Sequence, residues 1–470
     1  MIVKRFFEPL IAQNSYLIGC AHAGEALVID ANRDVDAYIA AAAADHLRIT
    51  HVTETHIHAD YLSGSRELAR RTGAELLLSD EGDADWKYAF ASEGRLIRGG
   101  ATITIGNVKV AVEHTPGHTP EHLTFLITDG AVADAPIAAA TGDFIFVGDV
   151  GRPDLLERAA NIKGTMEAGA RTLYRSLSAF KQHDDWLQIW PGHGAGSSCG
   201  KGISAIPHST LGYERRFNWA LKVKSEDAFV AEVLAGQPDP PKYFGTMKRL
   251  NKEGPSSLGG FREPPRIADG ELQAALARGA FVVDARPAGD YAARFVPGTI
   301  NLPLNTSFVT WAGWLIPYDT DIYLVVPDGG ETRLREVVRA LALIGLDRVA
   351  GYFTASAVTR LIDGAVSSIR QIEPRELSAM RGDHAPVVID VRNDNEWRAG
   401  HVPAAVHIPL GRLTERLAEL PQGQPLVMQC GAGARSAIAA SVLTRAGVPD
   451  VSNLVGGYNA WVDAGLPTTS

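Results

Sequence analysis

The chain repeats itself. Residues 282–304 read VVDARPAGDYAARFVPGTINLPL, and residues 388–410 read VIDVRNDNEWRAGHVPAAVHIPL. They align without a gap. Asp284, Arg286, Pro297 and Pro303 fall on Asp390, Arg392, Pro403 and Pro409, each 106 residues later. Further on, VVPDGGETRLREVVRAL matches VMQCGAGARSAIAASVL. A repeat of this length fixes two modules of about 100 residues, each with its own core. Short β-branched runs alternate with helical stretches in both copies. That order calls for mostly parallel sheets with helices on both faces.

The first 250 residues contain no such repeat. They hold many strand-like runs (ALVID, ATITIGNVKVAV, LTFLIT) and several helical ones. Two Gly/Pro/Ser-rich joints, NKEGPSSLGGFREPP (251–265) and DGAVSSIRQIEP (363–374), divide the chain into expected domains at 1–260, 261–368 and 369–470. The N-terminal LIGC resembles a lipoprotein cleavage site, but Glu8, Pro9, Gln13 and Asn14 interrupt the apolar run such a signal needs. The segment reads instead as the first strand of the fold, and a cytoplasmic location is expected.

A net charge of −9 offers no basic footprint, so no nucleic-acid partner is expected. No apolar run is long enough to span a bilayer, so neither is a membrane. Three cysteines, Cys20, Cys199 and Cys430, are too few and too scattered for a disulfide scaffold. Cys20, on a strand, reads as packing. The other two lie in glycine-rich loops.

Four turns following apolar strands carry metal-ligand chemistry. THIHADYLSG supplies His56, His58 and Asp60. HTPGHTPEH supplies His118, with His114 and His122 nearby. TGDFIFVGDVGRPDL supplies Asp143, and PGHGAGSSCGK supplies His193. Ligand side chains are commonly mounted on such turns. His51, His183 and His208 stand outside these motifs and read as surface or core residues.

These motifs resemble the metallo-β-lactamase superfamily, and TGD…GDVGRPDL resembles its persulfide dioxygenase branch. The resemblance covers most of residues 1–250 and implies an αββα sandwich. Two-metal members carry a histidine directly after the aspartate; this chain has Tyr61. A neutral phenol is a poor ligand at physiological pH, so the second metal site is expected to be empty or weak. The family implies His56, His118 and Asp143 as ligands of a mononuclear site. Two histidines and one carboxylate suit non-haem Fe(II), one per chain, with zinc as a misloaded substitute. His58, Asp60, Tyr61 and His193 become candidates to orient ligands or substrate. Arg152 is either a partner of Asp154 or a substrate contact. Cys199, six residues after His193, is either inert or lines the substrate pocket. The basic segment YFGTMKRLNK (243–252) reads as a solvated helix face or as a contact for the thiol.

The last module carries a second chemistry. QCGAGARS sets Cys430 between the strand PLVMQ and a helix. The loop Gly431, Ala432, Gly433 and Ala434 is small enough to turn its N–H groups inward as an anion nest. The helix N-terminus and Arg435 add positive character, which stabilises a thiolate or persulfide. VIDVRNDNEWRAGHVPAAVHIPL, CGAGARS and NLVGGYNAWVDAGLP resemble rhodanese sulfurtransferases. Four residues separate Cys430 from Arg435, as in rhodaneses; cysteine phosphatases use five. Arg392 and Glu396 are expected to hold the fold through ion pairs. In the middle copy Asp328 stands at the cysteine position and Arg333 at the arginine position. A carboxylate cannot carry sulfane sulfur, so that module is expected to be inactive.

The expected architecture is therefore an α/β and α+β multidomain chain: an αββα sandwich followed by two rhodanese-like α/β domains. The resemblance implies oxidation of a low-molecular-weight thiol persulfide by O2 to sulfite, with sulfite and thiosulfate exchanged at Cys430. It also implies a homo-oligomer, a dimer or tetramer. Two other readings stay open: a zinc thioesterase of the glyoxalase II type fused to a sulfurtransferase, and a non-catalytic sulfur carrier or sensor.

Overall fold

Alternation along the strands sets the architecture of the first part. On β2 (Gln13–Cys20), Tyr16, Ile18 and Cys20 face one core, while Leu17 faces another. On β3 (Glu25–Ile29), Leu27 and Ile29 join the first core, and Ala26 and Val28 the second. Strands covered on both sides read as continuous apolar runs, as these do.

The computed structural model describes residues 1–155, 157, 164–237, 239–327, 329–361, 365–380 and 385–470. The chain forms two compact units. One comprises Met1–Phe261 with Ala342–Gly345, the other Arg262–Leu341 with Leu346–Ser470.

The first unit is a sandwich of two six-stranded sheets. The first runs β1 (Ile2–Glu8), β2, β3, β4 (Arg48–Thr53), β5 (Glu75–Ser79), β6 (Arg95–Ile97) in spatial order. The second comprises β7 (Thr102–Ile105), β8 (Val108–His114), β9 (Leu123–Asp129), β10 (Ala138–Gly142), β11 (Gln188–Pro191) and β12 (Ser209–Thr210), again in sequence order. The N-terminal segment expected to be one strand is two: β1 pairs antiparallel with β2, and LIGC lies in β2. Between the sheets lies an apolar core that includes Ile18, Leu27, Val110, Phe125 and Ala140. Cys20 belongs to it, as its packing role requires. Helices α1 (Val35–Ala44) and α2 (Ser65–Thr72) cover the outer face of the first sheet through Val35, Tyr38 and Leu68. Helix α3 (Met166–Phe180) covers the second through Leu173 and Leu177. The result is the αββα arrangement.

The second unit contains two parallel sheets. The middle module has order β14 (Ile300–Asn301), β13 (Phe281–Asp284), β15 (Ile322–Val326), β16 (Val349–Thr354). The last module has β17 (Arg370–Ile372), β21 (Val451–Leu454), β20 (Leu426–Gln429), β18 (Val387–Asp390), β19 (Val406–His407). The sequence repeat is a structural one. Arg286 and Arg392 each fold back on the aspartate two residues before, with Nη2–Oδ2 distances of 2.6 and 2.7 Å. Both pairs are buried. Equivalent bonds run from Leu302 N–H to the Asp284 carbonyl and from Ile408 N–H to that of Asp390, both 3.0 Å. Asp328 lies outside the described residues. No helix among the described residues is long and apolar enough to cross a membrane.

Candidate active sites: a histidine–carboxylate centre and a cysteine loop

The sandwich brings four strand ends together. His56, His58 and Asp60 follow β4, His118 follows β8, Asp143 directly follows β10, and His193 and Cys199 follow β11. His56, His118 and Asp143 form one buried group whose ligand atoms lie within 4.8 Å of one another. His56 Nε2 is 3.9 Å and His118 Nε2 3.5 Å from Asp143 Oδ2.

Hydrogen bonds fix the tautomers. The Thr55 hydroxyl lies 2.9 Å from Asp30 Oδ2, an acceptor, so it donates there. Its oxygen is then left to accept from His56 Nδ1, also at 2.9 Å. The Arg152 carbonyl, 3.0 Å from His118 Nδ1, can only accept. Both imidazoles therefore carry their proton on Nδ1 and turn the Nε2 lone pair inward. Both Asp143 oxygens lack a hydrogen-bond partner, and the residue is 1% exposed. Converging lone pairs with no proton between them repel one another, and a cation removes that repulsion. The donor set thus fits a divalent metal. Burial, reinforced by the neighbouring imidazoles, holds His56 well below the usual histidine range, so its imidazole is neutral.

The other residues singled out from sequence divide. His58 does not join the group; its Nε2 is 3.1 Å from Asp30 Oδ1. Burial alone would lower His58, but Asp30, with Glu54 and Asp60, raises it to about 9. Asp60, His193 and Cys199 form a second buried group within the same 4.8 Å limit. Burial raises the Asp60 carboxyl. Burial, then the Asp60 and Asp143 carboxylates, push the Cys199 thiol up. Tyr61 is fully buried, its hydroxyl 3.4 Å from the Asp30 carbonyl and 3.3 Å from Gln13 Nε2. Its ring packs against that of His58. Arg152, 0% exposed, grips Asp154 through two bonds of 2.8 and 2.7 Å. That favours the Asp154 partnership over a substrate contact. His114 Nε2 meets the Pro120 carbonyl, and buried His122 stacks on His56.

Three contributors were not legible in the motifs. Asp30 ends the run ALVID with φ 57°, a left-handed turn that aspartate tolerates. Its carboxylate accepts from the Thr55 N–H at 2.6 Å and braces His58. Glu121, fully buried, accepts the Ile57 N–H at 2.7 Å, and burial pushes its carboxyl up to about 7. Asn251, on α4 (Phe244–Glu253), donates to the carbonyls of His58 and Tyr61 at 2.8 Å each. It also accepts the Ser63 N–H at 2.9 Å. The basic segment expected as a solvated face thus sends one polar side chain into the ligand loop. Lys248 of the same helix lies 3.8 Å over the Trp86 ring.

In the last module Cys430 ends β20 and precedes α5 (Ala434–Arg445). Gly433 sits at φ 94° and turns its N–H onto Cys430 Sγ at 3.1 Å. The Ser436 hydroxyl donates to the same sulfur at 3.5 Å. Gly431, Ala432 and Ala434 complete the turn. Arg435 is held by Glu396 through bonds of 2.7 and 2.6 Å. Glu396 does form an ion pair, and its partner is the loop arginine itself. Arg392 pairs with Asp390. In the middle module Arg333 is exposed and meets Glu336 at 2.7 Å.

Comparison with known proteins agrees with this fold. The metallo-beta-lactamase superfamily model matches residues 9–193, and the rhodanese-like domain model matches residues 373–464. A metallo-beta-lactamase from Staphylococcus aureus, solved by crystallography, is 40% identical with a TM-score of 0.69, covering 75% of this chain and 99% of its own. The mitochondrial persulfide dioxygenase ETHE1 of Homo sapiens is 28% identical over 233 residues, 48% of this chain and 78% of that protein. A sulfurtransferase of Allochromatium vinosum is 34% identical over 100 residues, 21% of this chain and 94% of that protein. Hydroxyacylglutathione hydrolases are also similar; that of Hyphomonas neptunium is 26% identical over 220 residues, 47% and 77% of the two chains. The chain belongs to the metallo-beta-lactamase superfamily and carries a rhodanese-like domain toward its C-terminus.

Proposed function

We propose that the first domain oxidises the outer sulfur of a low-molecular-weight thiol persulfide, and that the last module transfers sulfane sulfur through Cys430. Persulfide, O2 and water give the thiol and sulfurous acid, RSSH + O2 + H2O → RSH + H2SO3, which is sulfite at neutral pH. The observation that carries the reading is the buried His56–His118–Asp143 group with its inward lone pairs and partnerless carboxylate. These residues would hold one Fe(II), which supplies redox access to O2 and open positions for substrate. Similarity to a persulfide dioxygenase and a sulfurtransferase supports the same pairing.

The chain's own contribution is orientation and exclusion of water. Thr55 and the Arg152 carbonyl hold the two imidazoles in register. Asp30 braces Thr55 and His58 together, and Asn251 fixes the loop between His58 and Ser63. At the second site the Gly433 N–H and the Ser436 hydroxyl point at the sulfur, where they stabilise negative charge. The Cys430 thiolate attacks the outer sulfur of a second persulfide and the carrier leaves as its thiol. Sulfite then attacks the outer sulfur on Cys430. The S–S bond breaks, its electron pair returns to Cys430, and thiosulfate departs. In this reading the middle module, with Asp328 at the nucleophile position, is inactive, and the pathway removes sulfide-derived persulfide.

Oxygen uptake by the full chain with glutathione persulfide, with metal content measured on the same sample, tests the proposal. Uptake with about one iron per chain and sulfite or thiosulfate as product supports it. Hydrolysis of S-lactoylglutathione without oxygen uptake would instead support a thioesterase, the reading that the hydroxyacylglutathione hydrolase relatives and the Asp60–His193–Cys199 group favour.

A further inference from the structure

We infer that Ala342–Gly345, at the end of the helix Glu331–Leu343, positions the loop that carries His56, His58 and Asp60. The inference rests on the reading of that loop as part of a metal centre. It gives the repeat copy that lacks the cysteine a part in holding the metal.

The two copies of the repeat differ at this helix end. With Arg333 set on Arg435, LALIGL (Leu341–Leu346) falls on LTRAGV (Leu443–Val448). Both ends close alike. The Leu346 N–H donates to the Leu341 carbonyl and the Val448 N–H to that of Leu443, both at 3.0 Å. Gly345 and Gly447 take left-handed turns, with φ 74° and 80°. There the likeness stops. In the last module Ala446 and Gly447 are exposed, and a Cβ at Gly447 would meet nothing within 4 Å. In the middle copy Leu343 and Ile344 are each 0% exposed. A Cβ at Gly345 would lie 3.1 Å from Leu62 Cδ2 and 3.5 Å from Met247 Cε. Ala342, Leu343 and Ile344 stand where the other copy has Thr444, Arg445 and Ala446. The apolar end is the covered one, as burial of apolar surface requires.

The first compact unit includes Ala342–Gly345, and polar contacts tie the segment to the ligand loop. The last carbonyls of a helix have no partner within it. The Leu62 N–H donates to the Leu343 carbonyl at 2.8 Å. Arg33 Nη1 donates to the Ala342 carbonyl at 3.5 Å, which sets a guanidinium at the negative end of the helix. Asn251 holds the carbonyls of His58 and Tyr61 and the Ser63 N–H. The Leu62 N–H lies between these groups, and Leu343 takes it. Leu62 is two residues from Asp60, so a shift of the helix end passes along a short backbone to the ligand residues.

Gly345→Asn tests the inference in the full-length chain. Asparagine tolerates a left-handed turn, so the added Cβ acts chiefly through Leu62. In the metal-free protein, hydrogen exchange at the Leu62 amide should quicken about tenfold or more, while the strands of the first sheet keep their protection. In anaerobic competition with a chromophoric chelator, Fe(II) affinity should drop about 10–100-fold. Sulfur transfer from thiosulfate to cyanide should stay within about twofold, which reports that the last module is folded. Leu62→Val removes the carbon that the new Cβ meets, and adding it to Gly345→Asn should restore part of the affinity. If Gly345→Asn does not fold, Arg33→Met should weaken Fe(II) binding in its place, and Arg33→Lys, which keeps a donor, should weaken it less. Unchanged Fe(II) affinity, or exchange that quickens alike across the whole first unit, would overturn the inference. A chain whose variant loses affinity but which consumes no oxygen with persulfide keeps the brace and loses the proposed activity. Normal oxygen uptake with unchanged affinity in the variant keeps the activity and loses the brace.

Discussion

The two oxygens of Asp143 face different histidines: Oδ2 is 3.5 Å from His118 Nε2, and Oδ1 is 3.3 Å from His193 Nε2. Asp143→Asn keeps the shape and removes the charge. Its amide oxygen can serve only one side, and its NH2 must point a donor at the other. Iron content and persulfide-dependent oxygen uptake should both fall to background. Far-ultraviolet circular dichroism should not change, because the carboxylate has no hydrogen bonds to lose. Retained iron with normal turnover would remove Asp143 from the ligand set.

Asn251 links the ligand loop to α4. It is 1% exposed and makes three hydrogen bonds to the loop backbone. Asn251→Ala strands buried carbonyls of His58 and Tyr61 and the Ser63 N–H. Each stranded group costs about 1–3 kcal/mol. Partial relaxation brings the expected destabilisation to about 2–4 kcal/mol, measurable by denaturant unfolding of the full chain. Metal affinity should drop about 10–100-fold, as for other groups that orient ligands. A chelator competition assay reads that directly. Unchanged affinity beside lowered stability would reduce Asn251 to a packing role.

The ligand motifs were legible because each lies in a Gly/Pro turn after an apolar strand, and that pattern is local. Asp30 was not, because an aspartate ending ALVID looks like any strand terminus. Its role depends on β3 and β4 lying side by side, which brings its carboxylate to Thr55. Tyr61 was read from its neighbours in sequence as a vacant ligand position. Cys199 was read as either inert or pocket-lining, and the fold brings it to Asp60 and His193. The repeat was legible as aligned residues, and the structure adds that the Asp–Arg pairs recur at its fixed spacing. The Glu396–Arg435 pair was only half legible: an ion pair for Glu396 was expected, and its partner was not.

That pair makes the last module acid-sensitive. Burial pushes Glu396 up, but the Arg435 guanidinium and the Asn393 N–H outweigh it and hold the carboxyl below its ordinary value. A depressed carboxylate contributes stability above its unfolded pKa. The contribution is lost as pH falls through the folded value. Wild-type stability should therefore exceed that of Glu396→Gln by a constant margin near neutrality. The margin should shrink below about pH 4.5, the ordinary glutamate range. Half-burial keeps it small. Urea unfolding of both proteins across pH 3.5–7.5 tests the sign; a margin that grows with acid would refute it. The freed Arg435 should also bind thiosulfate more tightly, lowering KM for sulfur transfer to cyanide.

Cys430→Ser separates the two chemistries. The serine hydroxyl accepts the Gly433 N–H that now reaches the sulfur at 3.1 Å, so the loop should keep its form. It cannot hold a sulfane sulfur, and transfer from thiosulfate to cyanide should vanish. The metal donors lie on the first unit, on residues 56–143, so oxygen uptake with glutathione persulfide should stay within about twofold of wild type. The product should change: wild type accumulates thiosulfate when persulfide is in excess, and the variant accumulates sulfite. Chromatography of the two anions after oxygen is exhausted gives the ratio. If Cys430→Ser still made thiosulfate at the wild-type rate, the sulfur would be moving through another residue, and the last module would have no part in forming it.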